Sequence, residues 1–213
     1  MFEIVKSGGW LMVPIILSSI VALAIIGERL WALQLKRIIP KHLVAQIWHW
    51  HTTGKLGEEQ INSIKTGSSL GRVLAAGLVN IKHSREVMKE SIEESGRHEV
   101  HELERYLNSL GTVASITPLL GLLGTVIGMI KVFSVITSEG VGNPTVLSGG
   151  ISEALITTAA GLSVAIPSLM FYRYFRGKVE ELVVIMEQEA IKLVEVMHGD
   201  RSSVDDDAKG KVK

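Results

Sequence analysis

Tyr106–Ile130 reads YLNSLGTVASITPLLGLLGTVIGMI, 25 residues without a single Asp, Glu, Lys or Arg. A helix rises about 1.5 Å per residue and a bilayer's hydrocarbon core is about 30 Å thick, so this run is long enough to cross. Working outward, Ser7–Gly27 gives 21 charge-free residues and Ala154–Tyr172 gives 19. Buried helices of soluble proteins normally keep one polar stripe, so three such runs favour the bilayer over a soluble core. The fold class expected is an all-α membrane protein with three transmembrane helices. Helices two and three extend into a cytoplasmic helical bundle.

The rest of the composition agrees. The chain has 213 residues, 46% hydrophobic and 21% charged, with a mean hydropathy of +0.31. A hydropathy that high beside that much charge requires the charges to be segregated. Lys+Arg and Asp+Glu both total 22; that balance argues against a nucleic-acid binder, which carries a basic excess. With no cysteine, disulfides, thiol chemistry and Cys-based zinc sites are excluded.

Loop charges set the expected orientation. The segment Glu28–Arg105 is 78 residues long with 12 Lys/Arg, and Arg173–Lys213 holds eight more. Thr137–Glu153 holds none, and only Lys6 precedes the first span. The positive-inside rule then places the N-terminus outside and the long segment and C-terminus in the cytoplasm. The layout reads as a periplasmic tail (1–6), span one (7–27), a cytoplasmic helical domain (28–105), span two (106–136), a short periplasmic loop (137–153), span three (154–172), a cytoplasmic amphipathic helix (173–199) and a disordered tail (200–213). The first span reads as a retained anchor, because its apolar run exceeds a signal peptide's and no basic n-region precedes it. Arg29, Lys36, Arg37 and Lys41 follow span one and are expected to meet anionic phospholipid headgroups, each contributing about 1 kcal/mol. Lys131 is a lone charge at the outer end of span two.

Glu86–Tyr106 is rich in helix formers and leads straight into span two, so one helix is expected to pass from water into lipid. After span three, Phe175, Val179, Leu182, Val183, Met186, Ala190, Leu193, Val194 and Met197 recur at spacings of three and four. That apolar stripe has to be covered, by an upstream helix of the chain or by a neighbouring subunit. His98/His101 and His49/His51 lack a metal-site pattern, and no Ser/His/Asp, phosphate-loop or dinucleotide signature is present. No cofactor, metal or enzymatic activity is expected.

Inside the spans, Ala114, Thr117, Gly121, Gly124, Thr125 and Gly128 share about a third of span two's circumference at ~100° per residue. Span three carries Ala154, Thr158, Gly161 and Ala165 along one side, with Glu153 at its outer threshold and Thr157 one turn further in. Small residues let helix backbones approach closely. Equally, they can line a cavity on which threonine hydroxyls are available. Glu153 is explained either by the helix N-terminus, which favours a carboxylate, or by an ion or proton relay bordering membrane depth. Pro14, Pro118 and Pro167 put one proline in every run.

The run Pro118-Leu-Leu-Gly-Leu-Leu-Gly-Thr125-Val, together with Glu153-Ala-Leu-Ile-Thr-Thr158 and Gly161-Leu through Ala165-Ile-Pro167, resembles the ExbB/TolQ group of proton-channel subunits, most closely ExbB. That group is more distantly similar to the MotA flagellar stator. The resemblance covers about Gly111 to Tyr172 and the three-span layout. It implies a bacterial inner-membrane homopentamer around single-span helices of an ExbD/TolR-like partner, whose aspartate carries protons. A TonB/TolA-like protein then transmits the work to the outer membrane. It also implies pore-lining roles for Thr125, Glu153 and Thr158, with Gly121, Gly124, Gly128, Ala154, Gly161 and Ala165 packing or lining the pore. Lys131 departs from the family's pattern.

Two threonines and one carboxylate are too few to hold a water path in one chain, but a symmetric ring repeats them. One alternative is a TolQ-like subunit of an envelope-maintenance motor. Another is a structural scaffold whose stripes are only packing seams. A small-solute transporter is disfavoured, because three spans without an inverted repeat offer no midplane site.

Overall fold

A computed structural model describes residues 8–140 and 144–198. The expected tails over 1–6 and 200–213 therefore fall outside the described residues. The described residues form helices and no strand, in keeping with the all-α expectation. They are α1 (Met12–Ala32), α2 (Leu35–Ile38), α3 (Leu43–Thr52), α4 (Glu58–Gly67), α5 (Ser69–Val79), α6 (Arg85–Leu103), α7 (Leu107–Glu139) and α8 (Pro144–Met197). Three helical stretches are long and apolar enough to cross a membrane: Met12–Ala32, Arg85–Ser138 (α6, a short turn at 104–106, and α7) and Leu147–Met197.

The chain divides into two compact units. One contains residues 1–30 and 106–176; the other contains residues 31–105 and 177–213. The first unit holds nearly all of α1, all of α7 and the first part of α8. Its inward positions are small or aliphatic: Ile15, Ala22, Ala114, Thr117, Ala154, Thr157 and Ala165 are buried. Leu17, Leu23, Leu119, Leu155, Ile166 and Met170 stand exposed, which is the surface an apolar solvent accommodates at no cost.

The boundaries of these helices differ from the expected ones in four places. α1 spans Met12–Ala32 rather than 7–27, five residues later at each end, because residues 8–11 are turn and irregular backbone ahead of the helix. α7 does not continue unbroken from α6. Residues 104–106 form a turn, with Tyr106 at φ 62°, in the left-handed region that a bulky residue seldom occupies. Its ring lies under the Arg29 guanidinium, 5.6 Å from the ring centroid, a cation–π contact that offsets part of that strain. α7 runs on to Glu139 and stops at Gly140, φ 75°, where only glycine is unstrained. α8 then starts at Pro144, a residue pre-set for a helix's first turn. Much of the expected loop 137–153 is therefore helical.

The second unit is a helical bundle. Ser68 caps α5 by accepting from the Gly71 N–H at 3.0 Å, and α5 buries Leu70, Val73, Leu74 and Leu78. Ser84 caps α6 in the same way, and α6 buries Met88 and Ile92. Arg72 grips the buried Glu99 carboxylate with both arms of its guanidinium, Nη2 to Oε2 at 2.6 Å. That hydrogen bond holds Arg72 above its ordinary pKa. Val179, Leu182, Met186, Ala190, Leu193 and Val194 of α8 are buried, so the apolar stripe read from the sequence is covered. Part of it faces Val73, Ile92 and Val100 across a cavity of about 740 Å³.

Candidate functional site

Within the membrane-spanning unit, α7 and α8 run antiparallel along a seam of small residues. A methyl group added at Gly161 would sit 2.7 Å from the Thr117 carbonyl oxygen. One at Gly121 would lie 3.0 Å from Thr158 Cα. At Gly124 it would come 2.1 Å from Thr157 Oγ1, and at Gly128 2.8 Å from Ala154 Cβ. Backbones this close leave no room for larger side chains; the sequence satisfies that with glycine every three or four residues on α7. Ala165 is also buried. Five of the six small residues singled out in the sequence, Gly121, Gly124, Gly128, Ala154 and Gly161, therefore meet in one helix–helix seam within the protomer.

Four threonines line or flank this seam, and each donates its hydroxyl proton to a backbone carbonyl. Thr158 bonds across the helices to Gly121 O at 2.9 Å. Thr157, fully buried, bonds within α8 to Ala154 O at 2.9 Å and Glu153 O at 3.0 Å. Thr125, half-buried, bonds to Leu122 O at 2.6 Å. Thr117, also fully buried, bonds to Val113 O. Pro118 and Pro167 lie inside their helices, where each removes one backbone donor. With protons engaged in this way, the hydroxyl oxygens are left as acceptors along the seam.

Glu153 lies at the end of the same seam nearest the α7–α8 connection, one turn before Thr157. Its carboxylate accepts two contacts from the Lys131 ammonium, 2.7 Å to Oε1 and 2.9 Å to Oε2. On another side it rests against Gly9: a methyl group there would come 2.1 Å from Oε1. Gly9 is at φ 67°, so glycine is required twice over, by conformation and by space. The Glu153 side chain is only 22% exposed, whereas Lys131 is 51% exposed. A carboxylate withdrawn from water this far needs a counter-charge, and Lys131 supplies it.

The structure thus gathers Glu153, Thr157, Thr158, Gly121, Gly124 and Gly128 along one seam, with Thr125 one helical turn beyond Gly121. The sequence reading left Lys131 and Gly9 without a role and named Thr157 only in passing. Two lone charges of opposite sign, on consecutive antiparallel spans, are the signal that could have joined Lys131 to Glu153. The four basic residues expected at headgroups do not share one environment. Lys36, Arg37 and Lys41 are exposed, with the Arg37 guanidinium 3.6 Å above the Trp31 ring. Arg29 is 5% exposed, held by Glu28 and stacked over Tyr106. It has a structural partner set of its own, inside the protein rather than on its surface.

Comparison with known proteins places this geometry in a family. Residues 65–188 match the family model described as the MotA/TolQ/ExbB proton channel family. The putative biopolymer transport protein ExbB-like 1 of Synechocystis sp. is 34% identical over 169 residues, which is 78% of this chain and 66% of that protein. The same organism's putative ExbB-like 3 is 30% identical over 187 residues, 85% of this chain and 88% of that protein. The biopolymer transport protein ExbB of Aquifex aeolicus is 37% identical over 130 residues, 61% of this chain and 82% of that protein. The matched stretch includes all of α7 and the seam half of α8, so the chain belongs to the MotA/TolQ/ExbB proton channel family.

Proposed function

We propose that this chain is an ExbB-like inner-membrane subunit of a motor driven by the proton-motive force. Identical copies, five by the family resemblance, encircle single-span helices of an ExbD/TolR-like partner. The N-terminus faces the periplasm and the C-terminus the cytoplasm. A TonB-like protein carries the work to outer-membrane transport. The chain has a channel role and is not an enzyme. The observation that carries this reading is the Glu153–Thr157–Thr158 line on α8, set against the glycines of α7 in a chain of a proton channel family.

The chemistry fits a channel wall. Thr125 and Thr158 offer oxygen acceptors to a water path beside the partner's aspartate. Glu153 offers a carboxylate at its outer mouth. The charge-free runs contain no titrating group at mid-depth, so the proton acceptor there comes from the partner. Each charge falling through 100 mV releases about 2.3 kcal/mol, and several protons per cycle can drive a conformational step. Exposed Lys36, Arg37 and Lys41 are assigned to anionic headgroups.

The test is uptake through TonB-dependent transporters in cells that make the full complex. Glu153→Ala and Thr158→Val are each expected to impair it. Unimpaired uptake with both variants removes the mechanism. Complementation separates the two family roles: rescue of an ExbB-deficient strain supports this reading, and rescue only of a TolQ-deficient strain supports the envelope-maintenance alternative. The names ExbB-like and ExbB among the relatives favour the former.

A further inference from the structure

We propose that Lys131 is a positioning residue for Glu153, compensating its charge and turning its carboxylate out of the hydroxyl seam toward Gly9. The part this gives Lys131 in proton passage deepens and rests on the conduction reading above; the pairing itself does not.

The argument begins with a census. Between Trp10 and Gly27, between Leu107 and Ser138, and between Leu147 and Tyr172, Lys131 and Glu153 are the only Asp, Glu, Lys or Arg residues. They come from different helices, 22 residues apart in the chain, and they meet: one ammonium reaches both carboxylate oxygens, at 2.7 and 2.9 Å. The register of the helices arranges the meeting. Gly128, one turn before Lys131, packs on Ala154, the residue after Glu153, and Val132 packs on Gly150. At that close separation a lysine on α7 folds over the seam edge and lies on the carboxylate.

The far side is closed. Gly9 Cα abuts Oε1, and Gly8 before it sits beside Ile156 of α8, so the turn leading into α1 forms a wall behind Glu153. Thr157 does not reach the carboxylate; its hydroxyl is spent on Glu153 O and Ala154 O. The pair is asymmetric: Glu153 is mostly enclosed and Lys131 is half in the open. Lysine's flexible stem makes it the mobile partner. A proton arriving from the outer aqueous side binds a Glu153 oxygen and ends the attraction. Lys131 keeps its own proton and turns to solvent, and the neutral carboxyl group is released toward the seam. No other group changes its bonds.

The experiment uses the full chain in vesicles of uncharged phospholipid. Isotope-edited infrared spectra are taken of the native chain, Lys131→Met and Lys131→Arg at neutral pH. Each is differenced against its own Glu153→Gln counterpart, to isolate the Glu153 band. Expected is the carboxylate band of an ammonium-paired Glu153 in the native chain, a similar cation-paired band in Lys131→Arg, and a Glu153 band displaced from both in Lys131→Met. A Lys131→Met spectrum equal to the native one overturns the proposal. Should Lys131→Met fail to reconstitute, the swapped pair Lys131→Glu with Glu153→Lys decides. Recovery of folded protein over Glu153→Lys alone supports the pairing, and no recovery overturns it. Proton flux through the assembled complex separates the two readings. Absence of flux in the native chain defeats conduction and leaves the infrared result standing. Native flux that Lys131→Met leaves undiminished overturns the part of Lys131 in the pathway.

Discussion

Gly124 on α7 lies directly against Thr157 on α8: a methyl group at the glycine would fall 2.1 Å from the threonine Oγ1 and 2.6 Å from its Cβ. Thr157 is fully buried and β-branched, so its χ1 choices are few and its surroundings leave little room to give way. The contact is set by backbone separation, and it fixes how closely the second and third spans approach.

Gly124→Ala is therefore expected to destabilise the chain by about 1–3 kcal/mol, the usual cost of overpacking a tight core. Gly149→Ala, on the same helix pair but with open space at its Cβ position, is the control. It is expected to be neutral or stabilising by about 0.5–1 kcal/mol through helix propensity. Thermal unfolding in detergent measures both. Equal effects would contradict a close approach of Gly124 to Thr157.

Thr158→Val removes the hydroxyl that donates to Gly121 O while nearly preserving shape. The expected cost is about 0.5–1.5 kcal/mol, small enough to leave assembly intact. Thr158→Ser keeps the donor and should recover most of it. Any larger loss of transport than of stability in the valine variant then reports on the hydroxyl itself.

In the helical bundle, Arg72→Met strands the carboxylate of Glu99, whose side chain is 8% exposed. Breaking a buried pair costs about 3–5 kcal/mol, and the 42% exposure of Arg72 reduces this to about 1–3 kcal/mol through solvent screening. Arg72→Met with Glu99→Leu should recover much of the loss. Denaturant unfolding of the three variants checks the coupling.

Glu86, in the first turn of α6, is held below the ordinary carboxylate range by backbone N–H bonding at the helix start and by the Ser84 hydroxyl. Its folded value is depressed, so its contribution to stability is present above the unfolded value and fades as pH falls through the folded one. Side-chain carboxyl NMR should show Glu86 titrating at lower pH than an unstructured glutamate, and Ser84→Ala should move it upward. An unmoved titration in Ser84→Ala would exclude the hydroxyl as a cause.

The three spans were legible because lipid demands long charge-free runs, and charge is visible in a sequence. The α8 stripe from Val179 to Val194 was legible for a similar reason, since a helix burying one face must repeat at three and four. What escaped depended on register between elements. Nothing in the order of residues says that Lys131 and Glu153 fall level on antiparallel helices, or that Gly9 closes behind them. The break at Tyr106 escaped as well. The helix formers on either side favour continuity, and the turn rests on an Arg29 contact from the other end of the sequence. That same contact is why Arg29, read as a headgroup ligand by position, is buried instead.

The claim on which the functional account depends is that copies of this chain surround a hydrated path lined by Thr125, Thr158 and Glu153. Imaging the chain at side-chain resolution by electron cryo-microscopy, co-produced with the single-span protein it is proposed to encircle, measures this directly. The account predicts a closed ring with those three side chains turned to a central opening that holds the partner's helices. Side chains turned to acyl tails, or protomers with no opening between them, would contradict it.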